Sequence, residues 1–252
     1  RRPVKIALVV PGGVDRSGRE RVIPALLGLI ERLARRHDLL VVALEQEPRP
    51  ARYSLLGAEV VNLGAVPPRL WGLGWALRLR RLLAALRRAG GRFDVLHGFW
   101  AGPAALAGVA GRLLRVPTVM SVGGGEFVRL PEIDYGGWLR WQSRLAGRGA
   151  LRLANAVTAG SLYALRPVRC WRPDARWLPL GVDVGTFAAP VERPGGPPWR
   201  LLCVASINRV KDPETMLQAV RLVAAREPRV RLDWVGGDTL AGEAQRRAEV
   251  LG

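Results

Sequence analysis

Two cysteines, Cys170 and Cys203, are all that this chain of 252 residues carries. Each stands among apolar residues and neither belongs to a metal-ligand spacing, which gives little ground for a disulfide framework or a zinc site and points to a reducing compartment. Lysine is almost missing as well, with only Lys5 and Lys211, and histidine is limited to His37 and His97. Apolar residues make up 49% of the chain. Even so, no stretch of the length needed to cross a bilayer is free of charge, so neither a transmembrane span nor a leader peptide is expected. No G-x-G-x-x-G occurs, which argues against a dinucleotide oxidoreductase.

What the chain has in excess is arginine. The formal charge is +18, and of 39 basic residues 37 are arginines spread from end to end. An even spread reads first as a solvated surface written in arginine and second as an anionic membrane surface; nucleic acid is not expected as a partner. Two segments carry the membrane reading. On a helical wheel of residues 69 to 88, Trp71, Trp75, Leu79, Leu82, Leu83 and Leu86 fall opposite Arg69, Arg80, Arg81, Arg87 and Arg88. Arg140, Arg144, Arg148 and Arg152 repeat every fourth residue near Trp138 and Trp141.

Strand and helix patterns alternate. VKIALVV at 4 to 10 is a β-branched apolar run ending in Pro11-Gly12-Gly13, the pattern of a buried parallel strand entering a tight turn. Ser17 to Glu20 has the spacing of a capping box, with apolar positions at helical spacing from Val22 to Leu33; Pro24 means that the helix either starts near Ile23 or is kinked. DLLVVAL (38 to 44), EVVNL (59 to 63), FDVLHGF (93 to 99), PTVMSV (117 to 122), NAVTAG (155 to 160) and ARWLPLGVD (175 to 183) read as further strands, most of them separated by helical patterns. The expected class is α/β, with a doubly wound parallel sheet in a first domain over 1 to 190. A stretch without apolar periodicity over 191 to 199 serves as linker, and a second Rossmann-like βαβ pattern over 200 to 252 is too short to bury a core well, so it reads as incomplete.

The second unit carries a resemblance. Strand LLCVASI, loop Asn208-Arg209-Val210-Lys211 and a helix opening Asp212-Pro213-Glu214-Thr215 are similar to the donor-domain entry of family 4 glycosyltransferases, of GT-B fold. Upstream, LPLGVDVGTF (178 to 187) resembles that family's Pro-Asn-Gly-Val-Asp followed by Phe; downstream, LDWVGGD (232 to 238) resembles its next strand and glycine turn. The resemblance implies retaining, metal-independent sugar transfer from a nucleoside diphosphate sugar to a glycan or lipid-linked acceptor, with no cofactor besides the co-substrate. It further implies a chain cut off within the donor domain, because the family's Glu-x7-Glu element would lie beyond Gly252. Such an enzyme would work in the cytoplasm, peripherally on the inner face of the membrane.

The residues give their own reason for a phosphate site. A leaving diphosphate is stabilised by a cation beside the free N–H groups of a helix start, where Lys211 stands next to the capping pair Asp212-Pro213. Ser206 occupies the position of the family's partner arginine and Arg209 lies close enough to substitute, while Gly236 belongs to the second glycine turn. Gly12 and Gly13 resemble the loop that closes over donor and acceptor, and glycine lets a ligand approach the backbone closely. Val122-Gly123-Gly124-Gly125-Glu126 matches the family's His-Gly-x-Glu with Gly123 where the histidine would be; its glycines offer bare amides, and Glu126 orients an acceptor hydroxyl, acts as its base or caps a helix. His97, at the carboxyl end of a predicted strand, is an acceptor-side candidate or a packing residue. Two other readings stay open: a non-catalytic binding remnant, and a GT-B-shaped sugar-nucleotide epimerase.

Overall fold

The computed structural model describes residues 2–67, 71–90, 92–188 and 195–251, the side chains of residues 71 and 72 aside. It divides into two compact units, Arg1–Phe187 and Ala188–Gly252. Of the linker read from the sequence, residues 191 to 194 lie outside the described residues.

The larger unit runs β1 (Lys5–Val10), α1 (Pro24–Ala34), β2 (Asp38–Ala43), β3 (Ala51–Leu55), β4 (Ala58–Asn62), α2 (Trp71–Arg88), β5 (Val95–Phe99), α3 (Ala101–Leu114), β6 (Thr118–Val122), α4 (Trp141–Leu153), β7 (Ala156–Ala159), α5 (Leu162–Arg169) and β8 (Arg176–Trp177). Its strands form one sheet in the order β3-β4-β2-β1-β5-β6-β7-β8, parallel throughout except for β3, which pairs antiparallel with β4 at the edge. Strands buried on both faces need apolar residues at every position. Ala7, Leu8, Val9 and Val10 of β1 are accordingly fully buried. The period of two sorts them: Leu8 and Val10 pack with Leu26 and Ile30 of α1 on one face, whereas Ala7 and Val9 pack with Leu82 and Leu86 of α2 and Leu106 of α3 on the other.

Small residues set how closely α3 approaches. A Cβ on Gly98 of β5 would lie 2.2 Å from the Ala104 Cα, and one on Gly108 would lie 2.7 Å from the Leu153 Cβ of α4. The alanine-rich, glycine-containing sequence of α3 is thus the condition for seating it between sheet and α4, where nine of its residues are buried.

Three readings are corrected. Ser17 does not open a helix: its hydroxyl accepts from the Arg19 and Glu20 amides within a loop, and α1 begins after Ile23 with Pro24 in the first turn. A serine followed by a glutamate three residues on satisfies a turn as well as a helix start. ARWLPLGVD contributes only Arg176–Trp177 to the sheet, its remainder leaving Leu180 and Val182 exposed. The edge strand β3, in which Leu55 alone is buried, has no counterpart among the strands read from the sequence.

The smaller unit consists of β9 (Trp199–Val204), α6 (Pro213–Ala224), β10 (Val230–Val235) and α7 (Glu243–Leu251), with β9 and β10 parallel. Glu214 of α6 and Arg247 of α7 form a bidentate ion pair that draws the Glu214 carboxyl down to about 2. None of the described residues of this unit is buried, and Leu202 and Val204 are 68% and 73% exposed.

Candidate functional site

At the carboxyl edge of the larger sheet, β1 ends in the turn Pro11-Gly12-Gly13. Gly13 has φ +77°, a left-handed conformation that glycine adopts without a Cβ penalty. Two side chains clamp the turn. The Gln46 Oε1 accepts from the buried Val14 amide at 2.9 Å, and the Tyr53 hydroxyl, from β3, donates to the Val14 carbonyl at 2.7 Å. Burial, with the nearby Glu47 and Asp15 charges, pushes the Tyr53 phenol up to about 12, so it remains a donor. Asp15, bonded to the Ser17 amide and paired with Arg21, is held below its ordinary value.

After β6 the chain forms the loop Gly123-Gly124-Gly125 and a single 3-10 turn, Gly125–Phe127. The Glu126 carboxylate accepts from the Gly123 amide at 3.0 Å and the Gly124 amide at 2.7 Å. The expectation of bare amides along this loop is therefore corrected at two of its three glycines. A base at Glu126 would act through the lone pair that each of these bonds leaves over on its oxygen. Gly123 lies against Trp100, so closely that a Cβ there would sit 1.8 Å from the indole Nε1, and a Cβ on Gly125 would meet the Tyr135 hydroxyl at 2.4 Å. Trp100 itself is held at φ +75°, unusual for a bulky residue, at the start of α3.

His97 belongs to a different feature. Its Nε2 lies 2.8 Å from the Ser121 Oγ of β6, which lies 2.9 Å from the Thr158 Oγ1 of β7. The parallel register places the three on one face, and each hydroxyl can donate one bond and accept another. They line a cavity of about 150 Å³ otherwise walled by apolar groups of α1, β5 and the segment from Leu178 to Gly181, with Arg32 of α1 at its side. Burial lowers the imidazole to about 4, so it is neutral at physiological pH. Arg32 lies 3.7 Å from Asp183, within the same LPLGVD stretch that forms the wall. Neither Gly12 and Gly13 nor Gly123 to Glu126 line this cavity.

In the smaller unit the loops after β9 and β10 are stitched together. Ile207 N donates to Gly237 O, Thr239 N donates to Ile207 O, and Gly236 abuts the Ala205 carbonyl, where a Cβ would sit 2.0 Å away. The Asn208 side chain then caps a 3-10 turn, Arg209–Lys211, by accepting from Lys211 N. Asp212, at φ +47°, caps α6 by accepting from Thr215 N at 3.2 Å, with Pro213 in the first turn. Ser206, Arg209, Lys211 and Gly236 are thereby gathered at the carboxyl ends of β9 and β10. The Lys211 ammonium is exposed and makes no hydrogen bond or ion pair among the described residues. No cluster of three or more metal-ligating side chains occurs among the described residues, and no described helix is long and apolar enough to cross a membrane.

Ser121, Thr158, Gln46, Tyr53 and Trp100 were not among the residues singled out from the sequence. A signal existed for the first two: a hydroxyl residue interrupts the apolar runs of both β6 and β7. Their meeting with His97 depends on strand register, which a single sequence does not state.

A search of curated proteins returned no match. Among solved structures, HepE of Anabaena in complex with UDP and glucose superposes with a TM-score of 0.65 at 13% identity, over 98% of this chain and 65% of HepE. Sucrose-phosphate synthase of Thermosynechococcus elongatus gives 0.60 at 16% identity, over 98% and 67%. A UDP-forming α,α-trehalose-phosphate synthase of Burkholderia vietnamiensis gives 0.65 at 10%, over 100% and 68%. The chain thus spans about two thirds of the length of these proteins, and the likeness shows that its fold is of the GT-B type. The model of the glycosyl transferase 4-like domain matches residues 22–182, more than half of the sequence. With a parallel sheet, glycine turns at its carboxyl edge and the LPLGVD stretch all inside or beside that match, the chain belongs to the glycosyl transferase 4-like family.

Proposed function

We propose that this protein transfers a sugar from a nucleoside diphosphate sugar to a hydroxyl acceptor, with retention and without a bound metal. The observation that carries the reading is the Lys211 ammonium at the start of α6, without a partner among the described residues and beside the stitched loops of Ser206 and Gly236. As the bond between the anomeric carbon and the diphosphate lengthens, negative charge grows on the phosphate oxygens. A cation already free of protein partners stabilises that charge without first breaking an ion pair. Arg209, exposed in the same 3-10 turn and likewise without a partner among the described residues, supplies a second positive charge. Structures of HepE bound to UDP and to UDP-glucose support a uridine diphosphate donor.

The larger unit takes the acceptor in this reading. The clamped Gly12-Gly13 turn offers close backbone approach, and Glu126 acts chiefly by fixing the shape of the Gly123 to Gly125 loop. His97, kept neutral and anchored through Ser121 and Thr158, positions a hydroxyl rather than carrying charge. A glycan or lipid-linked acceptor fits; for the latter, α2 presents exposed Leu73 and Trp75 together with its arginines to the anionic inner face of the cytoplasmic membrane.

A thermal-shift panel of nucleoside diphosphates tests the donor reading, because a ligand that binds only the folded state raises its apparent stability. UDP is expected to raise Tm in the native chain and to do so far less in Lys211→Met. No response to any nucleoside diphosphate, or an equal response in the variant, would overturn it. Release of a free epimerised nucleotide sugar in place of a glycosylated product would favour the epimerase reading instead.

A further inference from the structure

A second groove lies on the larger unit, between α2 and the β3 edge of the sheet. It encloses about 660 Å³ and is lined by four arginines, Arg52, Arg80, Arg81 and Arg88, and by no acidic residue. The four are not equivalent. Arg52 is neutralised by Glu59, its Nη1 2.8 Å from the carboxylate. Arg81 is fixed in place: its Nη1 donates to the carbonyls of Leu63, Gly64 and Ala65 at 3.0 to 3.2 Å, so its charge is oriented but not neutralised. Arg80 and Arg88 make no hydrogen bond or ion pair among the described residues, although Arg78 of the same helix pairs with Glu45 at 2.6 Å.

The floor contributes little that competes. Asn62 spends its side chain on the backbone of Gln46, Glu47 and Arg49, and Ala84, Ala85 and Val61 supply only methyl groups. Three uncompensated guanidinium groups therefore face one space, at a cost in mutual repulsion that a bound anion removes. Arg80 and Arg88 are two helical turns apart, about 12 Å along the axis, so a single small carboxylate does not reach both. Planar guanidinium forks match phosphate oxygens in pairs.

We propose that the groove between α2 and β3 binds a ligand carrying two or more phosphate charges, held by Arg80, Arg81 and Arg88. The site is separate from the phosphate chemistry assigned to Lys211, which belongs to the other unit. A free diphosphate and a lipid headgroup bearing two phosphates share the chemistry that would be recognised here.

The test uses the full chain and compares Arg80→Gln/Arg88→Gln with Arg221→Gln/Arg226→Gln, which removes the same charge from the smaller unit, and with Lys211→Met. Isothermal titration with inorganic pyrophosphate forms one arm; sedimentation with cardiolipin-containing vesicles against phosphatidylcholine vesicles forms the other. Loss of two charge-assisted contacts is expected to weaken binding by a factor on the order of 10 to 100. Weakening of pyrophosphate binding in the groove variant, with Arg221→Gln/Arg226→Gln near native and whether or not Lys211→Met weakens as well, supports the site with a soluble ligand; weakening of the groove variant in vesicles alone supports it with a lipid headgroup. If the groove variant binds as the native chain does in both arms, or no more weakly than Arg221→Gln/Arg226→Gln, the site does not exist. Pyrophosphate binding lost only in Lys211→Met, with vesicle binding unaffected by the groove variant, also overturns the groove while leaving the donor reading intact.

Discussion

Replacing His97 by glutamine removes the one imidazole in the wall of the 150 Å³ cavity, and the effect on stability follows from where its proton affinity lies. Burial depresses the imidazole from 6.5 to about 4. Above pH 6.5 the ring is neutral in folded and unfolded chains alike and contributes no pH dependence. Between pH 6.5 and 4 the unfolded chain takes up a proton that the folded one refuses, so stability falls with falling pH. Below pH 4 the folded ring is protonated too and the loss levels off. One pH unit of difference corresponds to about 1.4 kcal/mol, which gives a loss of about 2 kcal/mol at pH 5 and about 3 kcal/mol at pH 4 relative to pH 7.5. Urea unfolding of the native chain and His97→Gln at these three values isolates the term, since every other group is common to both. The gap in stability between variant and native chain should shift in the variant's favour by those amounts. A gap that stays constant from pH 7.5 to 4 would refute the reasoning. With only two histidines in the chain, nuclear magnetic resonance of the imidazoles reads the affinity directly.

Other substitutions probe the supports of the site. Gly98→Val forces a side chain into the space of the Ala104 backbone and should cost more than about 4 kcal/mol, enough to abolish the cooperative transition of the larger unit in calorimetry. Tyr53→Phe removes the hydrogen bond to the Val14 carbonyl and should cost about 1 kcal/mol, with faster hydrogen exchange confined to the turn after β1. Glu126→Ala frees the Gly123 and Gly124 amides; exchange at both should accelerate at least tenfold while the Tm drops by only a few degrees, as suits a part-buried loop outside the core.

The parts of this fold legible in one sequence were those in which every residue agreed. After their first residues, Lys5 and Asp38, β1 and β2 are apolar because both faces are covered, and a run of that kind has few other readings. The opening of α6 was equally plain, since Asp212 and Pro213 each favour a helix start for an independent reason. β3 escaped because Arg52 and Ser54 alternate with Tyr53 on an edge that only β4 covers, so its pattern resembles a polar loop. LPLGVD looked like a strand for the opposite reason: its apolar residues follow the sheet edge without joining a ladder. At the site, the glycine turns and Lys211 could be found from residue type, whereas the clamp of Gln46 and Tyr53 on Val14 joins positions 32 and 39 residues apart and needed the fold.

The contact between Trp100 and Gly123 makes residues 100 and 123 share a single volume. A histidine can be introduced at 123 only if the indole is given up, and an indole survives at 100 only opposite a residue with no side chain. Across homologous chains the two columns should therefore change in concert, large against none, and a graft of the histidine alone into this scaffold should fail where the paired exchange succeeds.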